Sequence, residues 1–74
     1  MSAPPDLSQR LWRMRRRHQH IDATLVAVDG FWELAYWRNR QPMLVWRYPD
    51  EAEARAEADA RRRELERAGW TSHW

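Results

Sequence analysis

The chain has 74 residues, enough for one domain, and contains no cysteine, which excludes disulfide staples, thiol catalysis and thiolate metal clusters within it. A domain of this size buries only about 60% of its unfolded surface, so its core must rest on large side chains. Six tryptophans supply them, while the formal charge of +2 is unevenly spread: basic over residues 1–20, balanced over 21–49 and acidic over 50–74.

The first segment opens on MSAPPDLSQR, which lacks the apolar centre of a secretion signal. No run of the chain approaches the ~20 apolar residues of a membrane span, so a cytoplasmic protein that does not engage a membrane is expected. RLWRMRRRHQH follows and fits two periods. As a helix, Asp6 caps with Gln9 three residues on, and Leu7, Leu11, Met14, His18 and Ile21 recur on one face. As a strand, Trp12 and Met14 share one face and Arg13, Arg15 and Arg17 the other. The low β-branched content before His18 favours a short helix over about 7–16, with strand beginning near 18.

IDATLVAVDG is β-rich and ends in Asp-Gly, a tight-turn signal. FWELAYWRN and MLVWRYP then read as a hairpin pairing 36 with 44, 34 with 46 and 32 with 48. That register gathers Trp32, Leu34, Tyr36, Leu44, Trp46 and Tyr48 on one face, which is assigned to a helix. Phe31, Ala35, Trp37, Met43 and Val45 fall on the opposite face, together with Glu33 and Arg47.

Pro49 disfavours helix at Tyr48, Asp50 is a suitable N-cap, and Glu53 completes a capping-box pattern, so a helix is predicted over 51–68. Glu51/Arg55, Glu57/Arg61 and Asp59/Arg63 are i,i+4 pairs in the favourable order. Ala54, Ala58, Leu65 and Ala68 form its apolar stripe, interrupted by Arg61, and Gly69 with Trp70 supplies a C-terminal cap. The expectation is a single α+β domain spanning 1–74. It comprises a three-stranded antiparallel β-meander (18–48) packed on one C-terminal α-helix, a basic arm or short N-terminal helix (1–17), and a tail (69–74).

GFWELAYW, VWRYP and DEAEARAEA, within residues 30–69, together resemble the arm-type DNA-binding domain of tyrosine recombinases. The resemblance implies a three-stranded sheet set into the DNA major groove by the face away from the helix. Here that face presents Phe31, Ala35, Trp37, Met43 and Val45, where groove reading calls for polar and basic groups.

Function is therefore approached through surfaces. With two glycines, no phosphate loop and no cysteine, the sequence offers no catalytic constellation, so no enzyme activity and no cofactor are expected. A single helix covers one sheet face, so the other needs a partner: Phe31, Trp37, Met43 and Val45 are the candidate anchors of a homo-oligomer or a protein-binding module. The alternative is nucleic-acid binding, with Arg10, Arg13, Arg15, Arg16 and Arg17 on phosphates and Trp12 stacking on a base. His18 and His20 with Asp22, completed by His73, have ligand-type side chains at strand spacing, which is also the spacing of an ordinary polar surface.

Overall fold

Alternation of apolar and polar residues runs through four successive segments, and each forms a strand. The computed structural model describes residues 8–72. Its elements are β1 (Gln9–Arg16), β2 (Gln19–Val28), β3 (Phe31–Arg38), β4 (Gln41–Tyr48), α1 (Glu51–Arg67) and the short β5 (Thr71–Ser72). The sheet is antiparallel in the order β4-β3-β2-β1-β5, with α1 across one face. The fold is thus α+β with a C-terminal helix as expected, but the meander has four strands rather than three, and β5 adds a fifth.

The additional strand is β1, and it corrects the expected helix over 7–16. Period two puts both Trp12 and Met14 in the core, at 5% and 0% exposure, and turns Arg13 and Arg15 to the other face. Pairing with β2 decides it, because it sets Met14 against Ile21 and Trp12 against Ala23 on one apolar face. Leu11 sits at an irregularity between Arg10 and Trp12 and packs on the core edge. Asp6 and Leu7, part of the helix reading, lie outside the described residues.

Each cross-strand row shows how the core is built. Trp12, Ala23, Tyr36 and Leu44 stand side by side across β1 to β4. Small Ala23 lets the rings of Trp12 and Tyr36 close over it, with centroids 5.9 Å apart. The Trp12 indole Nε1–H donates to the Ala58 carbonyl at 2.9 Å, tying β1 to the middle of α1. The hairpin register is the expected one, 36 with 44, 34 with 46 and 32 with 48.

The helix stripe is narrower than expected. Ala54 and Ala58 are buried and Leu65 is half-buried, whereas Ala68 is exposed. Two small residues bring α1 close to the sheet but shelter little width, so cover thins over β4, where Tyr48 is half-buried and the rest is exposed. Leu34 and Tyr36 are 0% and 3% exposed, yet their β4 neighbours Trp46 and Leu44 remain 53% and 43% exposed. This corrects the placing of Leu44 and Trp46 beneath the helix; Trp32 and Tyr48 are half-buried at its margin.

The three expected i,i+4 ion pairs are present. Asp50 occupies the N-cap in an extended conformation, but its side chain makes no capping hydrogen bond, so the box is unformed. At the other end Gly69 has φ +98, its N–H donates to the Glu66 carbonyl and that of Trp70 to Leu65. This paired arrangement satisfies the last carbonyls and folds Trp70 into the core at 9% exposure.

Three two-residue turns join the strands. Asp29-Gly30 and Asn39-Arg40 have positive φ at both positions, as hairpins favour. Arg17-His18 has it at Arg17, with φ 57, and Arg40 reaches φ 70. A left-handed non-glycine residue costs roughly 1–2 kcal/mol, so the two turns at one end of the sheet each hold an arginine under strain.

Candidate interaction surfaces

The sheet face away from α1 has no element over it among the described residues. It is a banded surface, not a uniform apolar one. Arg13 and Asp22, directly opposite each other on β1 and β2, form an ion pair at 3.3 Å. Glu33 and Arg47 form a second, across β3 and β4, at 3.1 Å. Between them lie Thr24, Ala35 and Val45 in one row. Of the predicted anchors, Phe31, Met43 and Val45 are exposed at 45%, 49% and 51%. Trp37 is half-buried: its indole N–H donates to the Thr24 hydroxyl at 2.9 Å, which lays the ring across the sheet.

The larger apolar exposure is at the edge. Met43, Leu44, Val45 and Trp46 are consecutive and exposed; Leu44, Val45 and Trp46 alternate between the two faces of β4, and Met43 sits at a register shift against β3. β4 is the last strand of the sheet, with β3 on one side only. Edge strands are ordinarily protected by charge, proline or cover. Pro42 marks the turn end of β4, and beyond it Arg47 is the sole charged residue up to Tyr48. Sequence reasoning missed Leu44 and Trp46 as surface residues; the signal for them was the narrow alanine stripe of α1, which cannot span four strands. The opposite edge is different, because β5 pairs with β1 at Met14 and Arg15.

The arginines of the first segment do not form an arm. Trp12 is buried and hydrogen-bonded, which removes it as a stacking residue, and Arg13 is held by Asp22. Arg10 is exposed near the start of β1, away from the turn. Arg15, Arg16 and Arg17 sit at the β1–β2 turn, and up-and-down topology puts the β3–β4 turn with Arg38 and Arg40 at the same end. The turns are tied together: the His20 N–H donates to Asn39 Oδ1, the Asn39 N–H to the His20 carbonyl, and Arg38 to Gln19 Oε1 at 2.7 Å. These five arginines have no carboxylate within ion-pair distance among the described residues. None of them pairs with the acidic start of the helix.

On the helix, by contrast, Arg55, Arg61, Arg62 and Arg63 each meet a carboxylate. The hydrogen bonds Asp59 accepts from Arg62 and Arg63 hold its carboxyl below the ordinary range. Burial raises the Tyr36 hydroxyl above its ordinary value, with nearby Arg61 pulling the other way.

The histidines are not gathered into a ligand set. His18 lies in the β1–β2 turn and His20 on the open face near Asn39 and Asp22, beside the ion-paired Arg13. His73 lies outside the described residues. Among the described residues there is no group of three or more His, Cys, Asp or Glu arranged to hold a metal ion, and no helix long and apolar enough to cross a membrane. Comparison with protein-family models, with curated proteins and with solved structures finds no match to the chain.

Proposed function

We propose that this chain is a non-enzymatic interaction module that self-associates by antiparallel pairing of β4 with β4 of a second copy. The observation that carries the reading is the run Leu44–Trp46, apolar and exposed on both faces of an edge strand whose proline and register shift, at Pro42 and Met43, are confined to its turn end. Such an edge offers a row of backbone donors and acceptors with apolar side chains on either side.

A second copy fits this edge by its own sequence. Pairing centred on Val45 sets that residue against its counterpart, and Leu44 against Trp46 of the other copy on the helix side. Both are contacts between apolar residues. Charge favours the same antiparallel sense. The start of β4 adjoins Arg38 and Arg40, and its end adjoins Asp50 and Glu53, which have no ion pair among the described residues. Antiparallel pairing brings opposite ends together, whereas parallel pairing sets like charges side by side. The sheet-in-groove mode implied by the recombinase resemblance is disfavoured, because the open face presents Phe31, Ala35 and Val45 to any groove.

Sedimentation of the purified chain tests the proposal. The expected species is a dimer, converted to monomer by Val45→Glu with little change in the melting temperature of the monomer. Trp37→Glu separates edge pairing from stacking of open faces, since it leaves an edge dimer intact. A parent chain that stays monomeric at the highest attainable concentration overturns both.

A further inference from the structure

The turn end of the sheet is a second surface, and β4 pairing accounts for its β4-side arginines, Arg38 and Arg40, but not for Arg15, Arg16 and Arg17 on the β1–β2 turn. Arg15, Arg16, Arg17, Arg38 and Arg40 converge there without a carboxylate partner among the described residues. Arg15 donates to the Arg17 carbonyl and Arg38 to the Gln19 amide oxygen, both neutral acceptors that leave the charge in place. Arg15, Arg16 and Arg17 line a shallow depression with Gly69 and Thr71, where a side chain on Gly69 would lie 3.8 Å from Arg16 Nε. A second depression, lined by Arg13, His18, His20, Asp22, Asn39 and Arg40, continues the surface between the two turns.

Backbone strain points to the same place. Asp29-Gly30, at the far end of the sheet, meets φ 50 and 83 with residue types that tolerate that region, while the basic end puts Arg17 at φ 57 and Arg40 at φ 70. Left-handed arginines are costly for the fold, and residues held in such conformations collect where a side chain is needed for function.

We infer that this end of the sheet binds the phosphodiester backbone of a nucleic acid. Guanidinium groups present planar pairs of donors that match phosphate oxygens, and they remain charged at any physiological pH. From β1 to β4 the arginines span three strand spacings, roughly 14 Å. Each strand of a duplex carries one phosphate per about 3.4 Å of helix axis, so an arginine row laid along that axis spans about four. The surroundings are polar: His18, Gln19, Asn39 and Thr71. The exposed large apolar residues, Phe31 and Met43 to Trp46, belong to β3 and β4 and not to the β1–β2 turn. A membrane-docking surface would combine basic groups with an inserted apolar face, and a protein interface would centre on buried aromatic anchors. The β1–β2 turn has neither. The β1–β2 turn stands clear of β4, so binding through Arg15, Arg16 and Arg17 does not depend on dimer formation, which engages the Arg38 and Arg40 end.

Fluorescence anisotropy of labelled oligonucleotides, as single-stranded RNA, single-stranded DNA and duplex DNA, tests the inference on the full chain. With about four phosphates neutralised, duplex affinity should fall roughly 100-fold between 50 and 200 mM salt. Arg16→Ser/Arg17→Ser should weaken binding at least about 10-fold and flatten the salt slope by about two, one for each guanidinium withdrawn from a phosphate. Arg55→Ser/Arg63→Ser makes the same change in net charge on the helix and should leave affinity within about 2-fold, an effect of less than about 0.5 kcal/mol. Arg17→Gly/Arg40→Gly relieves the strained turns, so it should melt at or above the parent temperature and still bind more weakly. The inference is overturned by the absence of any anisotropy change at 50 mM salt with all three probes. Equal losses in the turn and helix variants, or binding to phosphatidylserine vesicles but to no oligonucleotide, overturn it as well.

Discussion

β1 and β4 flank the same two inner strands and carry similar apolar loads, yet their fates are opposite. In β1, Trp12 and Met14 are shut beneath α1; in β4, Leu44 and Trp46 point to the same side and stay largely exposed. The difference lies in what each strand meets above it. α1 docks through Ala54 and Ala58 and accepts the Trp12 indole at Ala58, so its axis is drawn toward β1 and β3. Tryptophan content alone therefore does not separate residues that hold the fold from those left at the surface. Position relative to the helix does.

The contrast is broken most severely by truncating one indole on each side. Trp12→Ala should cost about 3–5 kcal/mol, because it opens a cavity and leaves Tyr36 without its ring partner. Trp46→Ala should cost under about 1 kcal/mol in the monomer, as exposed positions do. Urea midpoints of the two variants at low protein concentration make the comparison, and equal shifts would refute it.

The ion pairs on the open face sharpen the contrast on a smaller scale. Arg13 and Asp22 are 24% and 15% exposed, whereas Arg47 and Glu33 are 59% and 25% exposed. Arg13→Ala strands a shielded carboxylate and should cost about 1–2 kcal/mol. Arg47→Ala removes a solvent-screened pairing worth about 0.2–1 kcal/mol. Chemical denaturation of both variants should preserve that order.

The smallest effect is one of pH. The hydroxyls of Tyr36 and Tyr48 are both raised by burial, so the folded chain holds those protons more tightly than the unfolded one. Stability is intact below the ordinary tyrosine value of 10.0 and declines as pH rises past it. Tyr36→Phe should remove more of this alkaline slope than Tyr48→Phe, since Tyr36 is the more deeply buried of the two. Melting curves between neutral pH and the alkaline limit would show it.

Much of the hairpin and helix is legible in local sequence. Apolar alternation aligns Tyr36 with Leu44, a register that the two-residue Asn39-Arg40 turn reaches only through a shift between Tyr36 and Trp37, and Pro49 with Gly69 brackets α1. β1 is not legible in the same way, because its helical stripe and its strand alternation both contain Met14, and the choice rests on long-range pairing with β2. For the surfaces, period two places Phe31 and Val45 on the open face correctly. It does not show that Trp37 lies down on Thr24, nor that α1 leaves β4 uncovered, since both depend on where the helix and rings come to rest in three dimensions. The arginine run likewise marks a charged region, but only topology joins it to Arg38 and Arg40.

The size of an assembly built through β4 would be set first by the symmetry of that joint and only locally by β5 at the far edge. Once two copies have joined, each has consumed its adhesive border, and the outer borders of the joined sheet are β1 strands fringed by Thr71 and Ser72. A pair joined in that way is closed by its own two-fold symmetry and does not run on into a fibre, and β5, which pairs with β1 at Met14 and Arg15, adds a local guard to the outer border.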